Sequence, residues 1–316
     1  MKKIGTVILL LALFIGGAIF FPVNKPHVQL PAEKIGDVAG FPITNTMTAA
    51  WATIIVLSLL FLFATRNMRM IPGRLQAFAE MIVETLLGLC ESVAGKEKGR
   101  AFFSLVATFF LFIMISNWMG LLPGYGTIGV KENEPAHVEQ QVEQSKEHSA
   151  AVVTNAVERK DGAAATAESS KGEELLLPLF RSANTDLNTT LALALVSVLA
   201  TQFFGVKALG AGSYAGKFLN FKSPIDFFVG LLEIISEVAK IISFSFRLFG
   251  NIFAGEVLLG VMAFLIPWVA SLPFMGLELF VGAIQAFVFM MLTLVFLTLA
   301  TIGHGAEHGA EHGKAH

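Results

Sequence analysis

Six ionisable side chains sit where the sequence is otherwise hydrocarbon: Glu233, Glu237, Lys240, Arg247, Glu256 and Glu278, all between residues 226 and 302. At mid-bilayer each such charge costs about 2.5–3.5 kcal/mol, so the groups must face protein, water or one another. Carboxylates in that setting can take up and release protons. Arg247 cannot, because a guanidinium stays protonated in a protein. Within "ISFSFRLFGNIFAGEVLLG", residues 242–260, it is therefore a permanent positive charge.

Helical spacing sorts these groups. At about 100° per residue, Lys240, Ser236, Ser243, Glu233 and Asn251 fall within about 40° of Arg247, and Glu237 at about 80°. Gly250 and Ala254, four apart near the same face, predict a close helix–helix approach. Glu256 falls near 180°, pointing away, while Glu278 and Gln285 share a face seven residues apart in the last apolar segment. Two separate wet regions follow. One runs from Glu233 toward Ser243; the other holds Glu256 and Glu278, with Arg247 between them. An interhelical salt-bridge set that only binds the bundle is the plainer alternative, but such sets are seldom more stabilising than apolar packing.

Other reactive residues lead elsewhere. Cys90 is the chain's one cysteine, which excludes an intrachain disulfide, and it reads as a small core residue. In "GHGAEHGAEHGKAH" four histidines recur every fourth residue, but the interleaved glycines weaken any helix that would align them for a metal. "GAGSYAGK" at 210–217 looks like a phosphate loop but lacks its first glycine and its magnesium-binding hydroxyl. The expectation is no metal, no cofactor, no nucleotide and no nucleic acid.

The elements that position these groups are membrane spans. Of 316 residues, 54% are hydrophobic and 15% charged, against roughly 25% charged in soluble domains. Apolar segments of bilayer length lie at 4–21, 47–65, 101–122, 187–206, 226–270 and 274–302. Residues 75–95 carry Glu80, Glu84 and Glu91 and predict an amphipathic surface helix instead. Basic residues gather before the first span, between the second and third (Arg66, Arg69, Arg74, Lys96, Lys98, Arg100) and between the fourth and fifth (Lys207, Lys217, Lys222). By the positive-inside rule these sides are cytoplasmic, as is the C-terminus. Residues 123–186 hold six basic and eleven acidic residues, net −5, as an outside loop would. Trp51, Trp118 and Trp268 fall near the outer interface. The first segment fits a retained helix or a cleaved signal peptide, giving six spans or five. The predicted fold is an all-α polytopic membrane protein. Its expected parts are a hydrophobic segment and linker at 1–46, an integral membrane unit at 47–302 with a low-complexity outside loop at 127–174, and a tail at 303–316.

"FRLFGNIFAGE", with "LLEIISEVAK" upstream, "IQAFVFMMLTLVFL" downstream, and the earlier "NWMGLLPGY" and "ANTDLNTTLALAL", resembles subunit a of the F-type ATP synthase across roughly residues 100–302. The resemblance implies a non-catalytic stator subunit with two offset proton half-channels, partnered by a ring of c subunits, subunit b and the rest of the complex, in a bacterial plasma membrane. It places the essential arginine on Arg247, its neighbouring amide on Asn251, and the outer path on Glu256, Glu278, Asp186 and Asn188. Gln285 becomes the polar partner facing the arginine, and Glu233 and Ser243 the inner path, the side on which helical spacing also puts Lys240. It implies that the last two helices form a long tilted hairpin against the ring. The 127–174 loop, the N-terminal segment and the His-rich tail depart from the pattern. A self-contained transporter would instead show inverted repeats, and no convincing repeat is present. A membrane scaffold would need Arg247 only for assembly.

Overall fold

The computed structural model describes residues 32–38, 40–122, 125, 129–131, 176–218, 224–265 and 271–302. A short antiparallel pair, β1 (Lys34–Val38) and β2 (Phe41–Thr44), leads into α1 (Asn45–Thr65). Thr44 caps α1, its Oγ1 accepting from the Met47 N–H at 3.4 Å. Helix α1 is apolar all round and buries few side chains, as a lipid-facing span does.

Helix α2 (Arg74–Ala94) is amphipathic and buries Gln76, Ala79, Leu86 and Cys90 along one stripe. It ends at Gly95, whose φ of 79° is open to glycine at little cost, and α3 (Lys96–Gly120) turns back against it. Cys90 is fully buried in that contact, and burial raises its thiol pKa. Strands β3 (Gly129–Lys131) and β4 (Leu176–Pro178) pair antiparallel. A 3-10 turn at Ala183–Thr185 precedes α4 (Leu187–Leu209), which Asp186 caps. Gly210 separates α4 from the short α5 (Ala211–Phe218). The phosphate-loop look-alike is therefore mostly helix.

Helix α6 (Pro224–Leu265) runs unbroken for 42 residues and α7 (Ser271–Ala300) for 30. Pro224 opens α6, where proline's fixed φ suits a helix start. At 1.5 Å per residue α6 is about 63 Å long, twice the roughly 30 Å of a bilayer core. It can stay within the membrane only by lying strongly tilted.

Helix α7 threads the core. Met290, Leu294 and Leu297 pack with Leu86, Cys90, Phe102 and Val106; Ala286 and Phe289 pack with Phe109, Ile113, Phe244, Leu248 and Ile252. Phe289 meets Phe109 edge-on at 5.4 Å and Phe244 at 5.1 Å. Where water cannot compete, hydroxyl and amide ties fix the register: Ser197 to Thr293 at 2.8 Å, Thr190 to Ser245 at 3.2 Å, and Asn184 Nδ2 to Asn117 Oδ1 at 2.7 Å. Asn117 Nδ2 in turn donates to the Gly282 carbonyl at 3.2 Å.

Among the described residues, five helices (α1, α3, α4, α6 and α7) are long and apolar enough to cross a membrane. The fold is all-α and polytopic, as expected, and the glutamate-bearing segment forms a helix that is not among the five. The 4–21 segment, nearly all of the 127–174 loop, Trp268 and the His-rich tail lie outside the described residues.

Candidate functional site

Helix α6 buries Phe244, Ser245, Leu248, Ile252 and Gly255. That stripe centres about 100° round from Arg247, which leaves the arginine exposed on the flank of the bundle. Its Nη2 donates to Ser243 Oγ at 3.3 Å, and its Cζ lies 6.0 Å from the Phe244 ring centre. Among the described residues no carboxylate of the chain pairs with it. One turn on, Asn251 Nδ2 donates to Gln285 Oε1 of α7 at 2.6 Å. Gln285 is buried, and its Nε2 finds no partner among the described residues.

The sequence points to Gly250 and Ala254 as the close-approach pair; inside this chain that expectation fails. A Cβ built on Gly250 meets nothing within 4 Å, and Ala254 is exposed. The tight position is Gly255, where a Cβ would run into the Glu278 carboxyl group. Which glycine faces a neighbour depends on where α7 crosses, and four-residue spacing does not encode that.

About 14 Å along α6 from Arg247, Glu256 faces a cavity of about 410 Å³ whose wall also includes Glu278, Arg181, Ser182, Thr185 and Tyr125. Glu278 is buried against Gly255, whereas Glu256 is about half exposed. Arg181 grips Glu256 with two nitrogens: Nε reaches Oε1 at 3.0 Å and Oε2 at 3.3 Å, and Nη2 reaches Oε2 at 3.2 Å. Burial pushes the Tyr125 hydroxyl pKa up.

Asp186 and Asn188 do not line this cavity. Asp186 is buried; its Oδ1 accepts from the Asn188 N–H at 3.0 Å and its Oδ2 from Thr46 Oγ1 at 3.1 Å. It caps α4 and ties it to α1. The Asn188 residue is exposed.

At the other end, about 21 Å from Arg247 measured to Glu233, a second polar group forms. Lys240 Nζ donates to Glu237 Oε1 at 2.7 Å and sits 4.9 Å from the Phe296 ring centre. Tyr214 of α5 is buried here, its hydroxyl 2.5 Å from Gln202 Oε1 of α4. Burial, then the charges of Glu237 and Glu233, push its pKa up to about 12. Gln202 Nε2 and Glu237 Oε2 are buried without a partner among the described residues.

Three groups thus follow one another along α6, with contributions from α5 and α7: carboxylates with a lysine and a tyrosine, then an arginine with no carboxylate partner among the described residues beside an amide pair, then two glutamates at a cavity. Arg181, Tyr214 and Gln202 are not singled out by the sequence; for Gln202 the signal was there, as a lone amide in an apolar span. An arrangement with proton-binding groups at both ends and a fixed cation between can pass protons at either end while opposing their direct passage through the middle.

The chain matches the family model described as "ATP synthase A chain" over residues 46–298. It is similar to "ATP synthase subunit a" of Moorella thermoacetica, 30% identical over 278 residues, covering 88% of this chain and 99% of that protein. It is also similar to "ATP synthase subunit a" of Syntrophobacter fumaroxidans, 30% identical over 277 residues, covering 85% of this chain and 89% of that one.

Proposed function

The chain belongs to the ATP synthase A chain family, and we propose that its three polar groups act as two offset proton half-channels separated by Arg247. It is a non-catalytic, multi-pass membrane subunit of the ATP synthase complex. In our reading residues 47–302 are the translocating unit, residues 1–46 and 303–316 are appendages, the 127–174 loop faces outside, and the C-terminus is cytoplasmic in a bacterial plasma membrane. The partners are a ring of carboxylate-bearing c subunits, turning past the exposed flank of α6, and subunit b.

One observation carries the reading: Arg247 is exposed, with no carboxylate of its own chain beside it among the described residues. An intramembrane cation of that kind calls for a partner from outside the chain. A protonated ring carboxylate brought within about 4–6 Å of the guanidinium has its pKa lowered by roughly 1–3 units and releases its proton. The proton leaves along Ser243, Lys240 and Glu233. The next ring carboxylate reloads through the cavity at Glu256 and Glu278, with Asn251 and Gln285 holding the arginine's surroundings polar. Asp186 and Asn188 support the outer mouth by fixing the start of α4. Each proton crossing 100 mV supplies about 2.3 kcal/mol, useful only if no direct path joins the two ends. A permanent cation closes that path where lysine, easily neutralised on burial, would not.

The test is Arg247→Ala in the whole complex, reconstituted in liposomes. Proton-driven ATP synthesis should be lost while the assembled complex remains at its normal level. Coupled synthesis at the unmodified rate would refute the reading.

A further inference from the structure

We propose that Arg181 is a positioning residue for proton entry, holding the Glu256 carboxylate in place on the wall of the outer cavity. The proposal rests on the half-channel reading above and adds a residue to it.

Geometry comes first. The guanidinium Nε–Oε1 and Nη2–Oε2 contacts, 3.0 and 3.2 Å, form a fork in which each oxygen receives its own donor. Such paired contacts fix the plane of a carboxylate as well as its position. Glu256 projects from α6 on a flexible stem and is about half exposed, whereas the Arg181 side chain is only 10% exposed. The arginine is therefore the anchored member, and the glutamate is what it aims.

The setting is the second argument. Glu33, Glu256 and Glu278 contribute carboxylates to the cavity, and Arg181 is the one lysine or arginine among the described lining residues. Three carboxyl groups line the cavity with proton-binding oxygens, while the fork stops Glu256 from swinging. Glu278, deeper against Gly255, has no such clamp among the described residues, so the two glutamates differ in freedom. A half-exposed ion pair contributes little to stability, which leaves orientation as its main effect. The pair also joins segments 75 residues apart, the stretch before α4 and the last quarter of α6.

The experiment uses the whole complex in liposomes, with ATP synthesis driven by an acid–base jump and expressed per assembled complex. Losing one charge-assisted pair at the entry step should slow synthesis about tenfold in Arg181→Ala. Arg181→Lys, which keeps the charge but lacks the fork, should lie between that rate and the unmodified one. Glu256→Gln should be slow as well, and Arg181→Ala combined with Glu256→Gln should be no slower than Glu256→Gln alone, because the arginine works through that carboxylate.

A normal rate in Arg181→Ala or in Arg181→Lys overturns the proposal, as does a double variant whose loss multiplies those of the singles. If Arg181→Ala does not assemble, the Arg181→Lys comparison decides. A slow Glu256→Gln beside a normal Arg181→Ala removes the positioning role alone. A normal Glu256→Gln removes the outer path and the positioning role together.

Discussion

Gly255 and Gly250 lie on the same helix, five residues apart, and adding one methyl group should have opposite effects at the two. At Gly255 the new Cβ would occupy space filled by the Glu278 carboxyl group. Inserting a methyl into a packed contact costs about 1–3 kcal/mol, of which alanine's better helix propensity offsets roughly 1. Gly255→Ala should therefore destabilise by about 0–2 kcal/mol. At Gly250 nothing lies within 4 Å, so only the propensity gain of up to about 1 kcal/mol remains. The difference between the two variants, about 1–3 kcal/mol, can be read from unfolding midpoints of the purified protein in detergent. Pairing Gly255→Ala with Glu278→Ala removes the obstructing carboxyl and should recover most of the loss, a coupling of the size expected for residues in contact. The function should separate too: Glu278 is the atom group that must move, so Gly255→Ala should also slow proton-driven synthesis. Equal stability of the two glycine variants, or no recovery in the double, would show that Glu278 does not lie against Gly255.

Asn251→Ala strands the buried Gln285 Oε1 and should cost about 1–3 kcal/mol, whereas Gln285→Leu leaves only an exposed amide and should cost less than about 1; the reverse order in an unfolding titration would contradict the 2.6 Å bond. Tyr214 has a pKa of about 12 instead of 10, so its neutral form is favoured in the folded state. Stability should hold below pH 10 and fall between 10 and 12; Tyr214→Phe should flatten that fall, and an unchanged slope would argue against the burial of this hydroxyl.

The charged groups of the spans were legible because any charge is conspicuous in hydrocarbon. Span lengths follow from bilayer thickness, and the three glutamates of α2 set it apart from the five long apolar helices. Arg181 was not legible, since an arginine between an apolar run and the mostly polar residues 182–186 marks no site by itself, and its partner lies 75 residues away. Tyr214 sits in a glycine-rich string whose local pattern says nothing of the Gln202 bond. Asp186 is different: an aspartate just before an apolar helical run is an N-cap signal, and its carboxylate is used that way. The rest depended on where α7 crosses α6, a tertiary fact that periodicity within one helix does not hold.

Strands β3 and β4 register Gly129 with Pro178 and Lys131 with Leu176. Residues 131 and 176 are thus held side by side, like the two ends of a drawstring. Closing a longer or shorter excursion there changes the entropy only logarithmically with its length. Changing the length of the sequence between residues 131 and 176 should therefore shift the closure entropy only slightly.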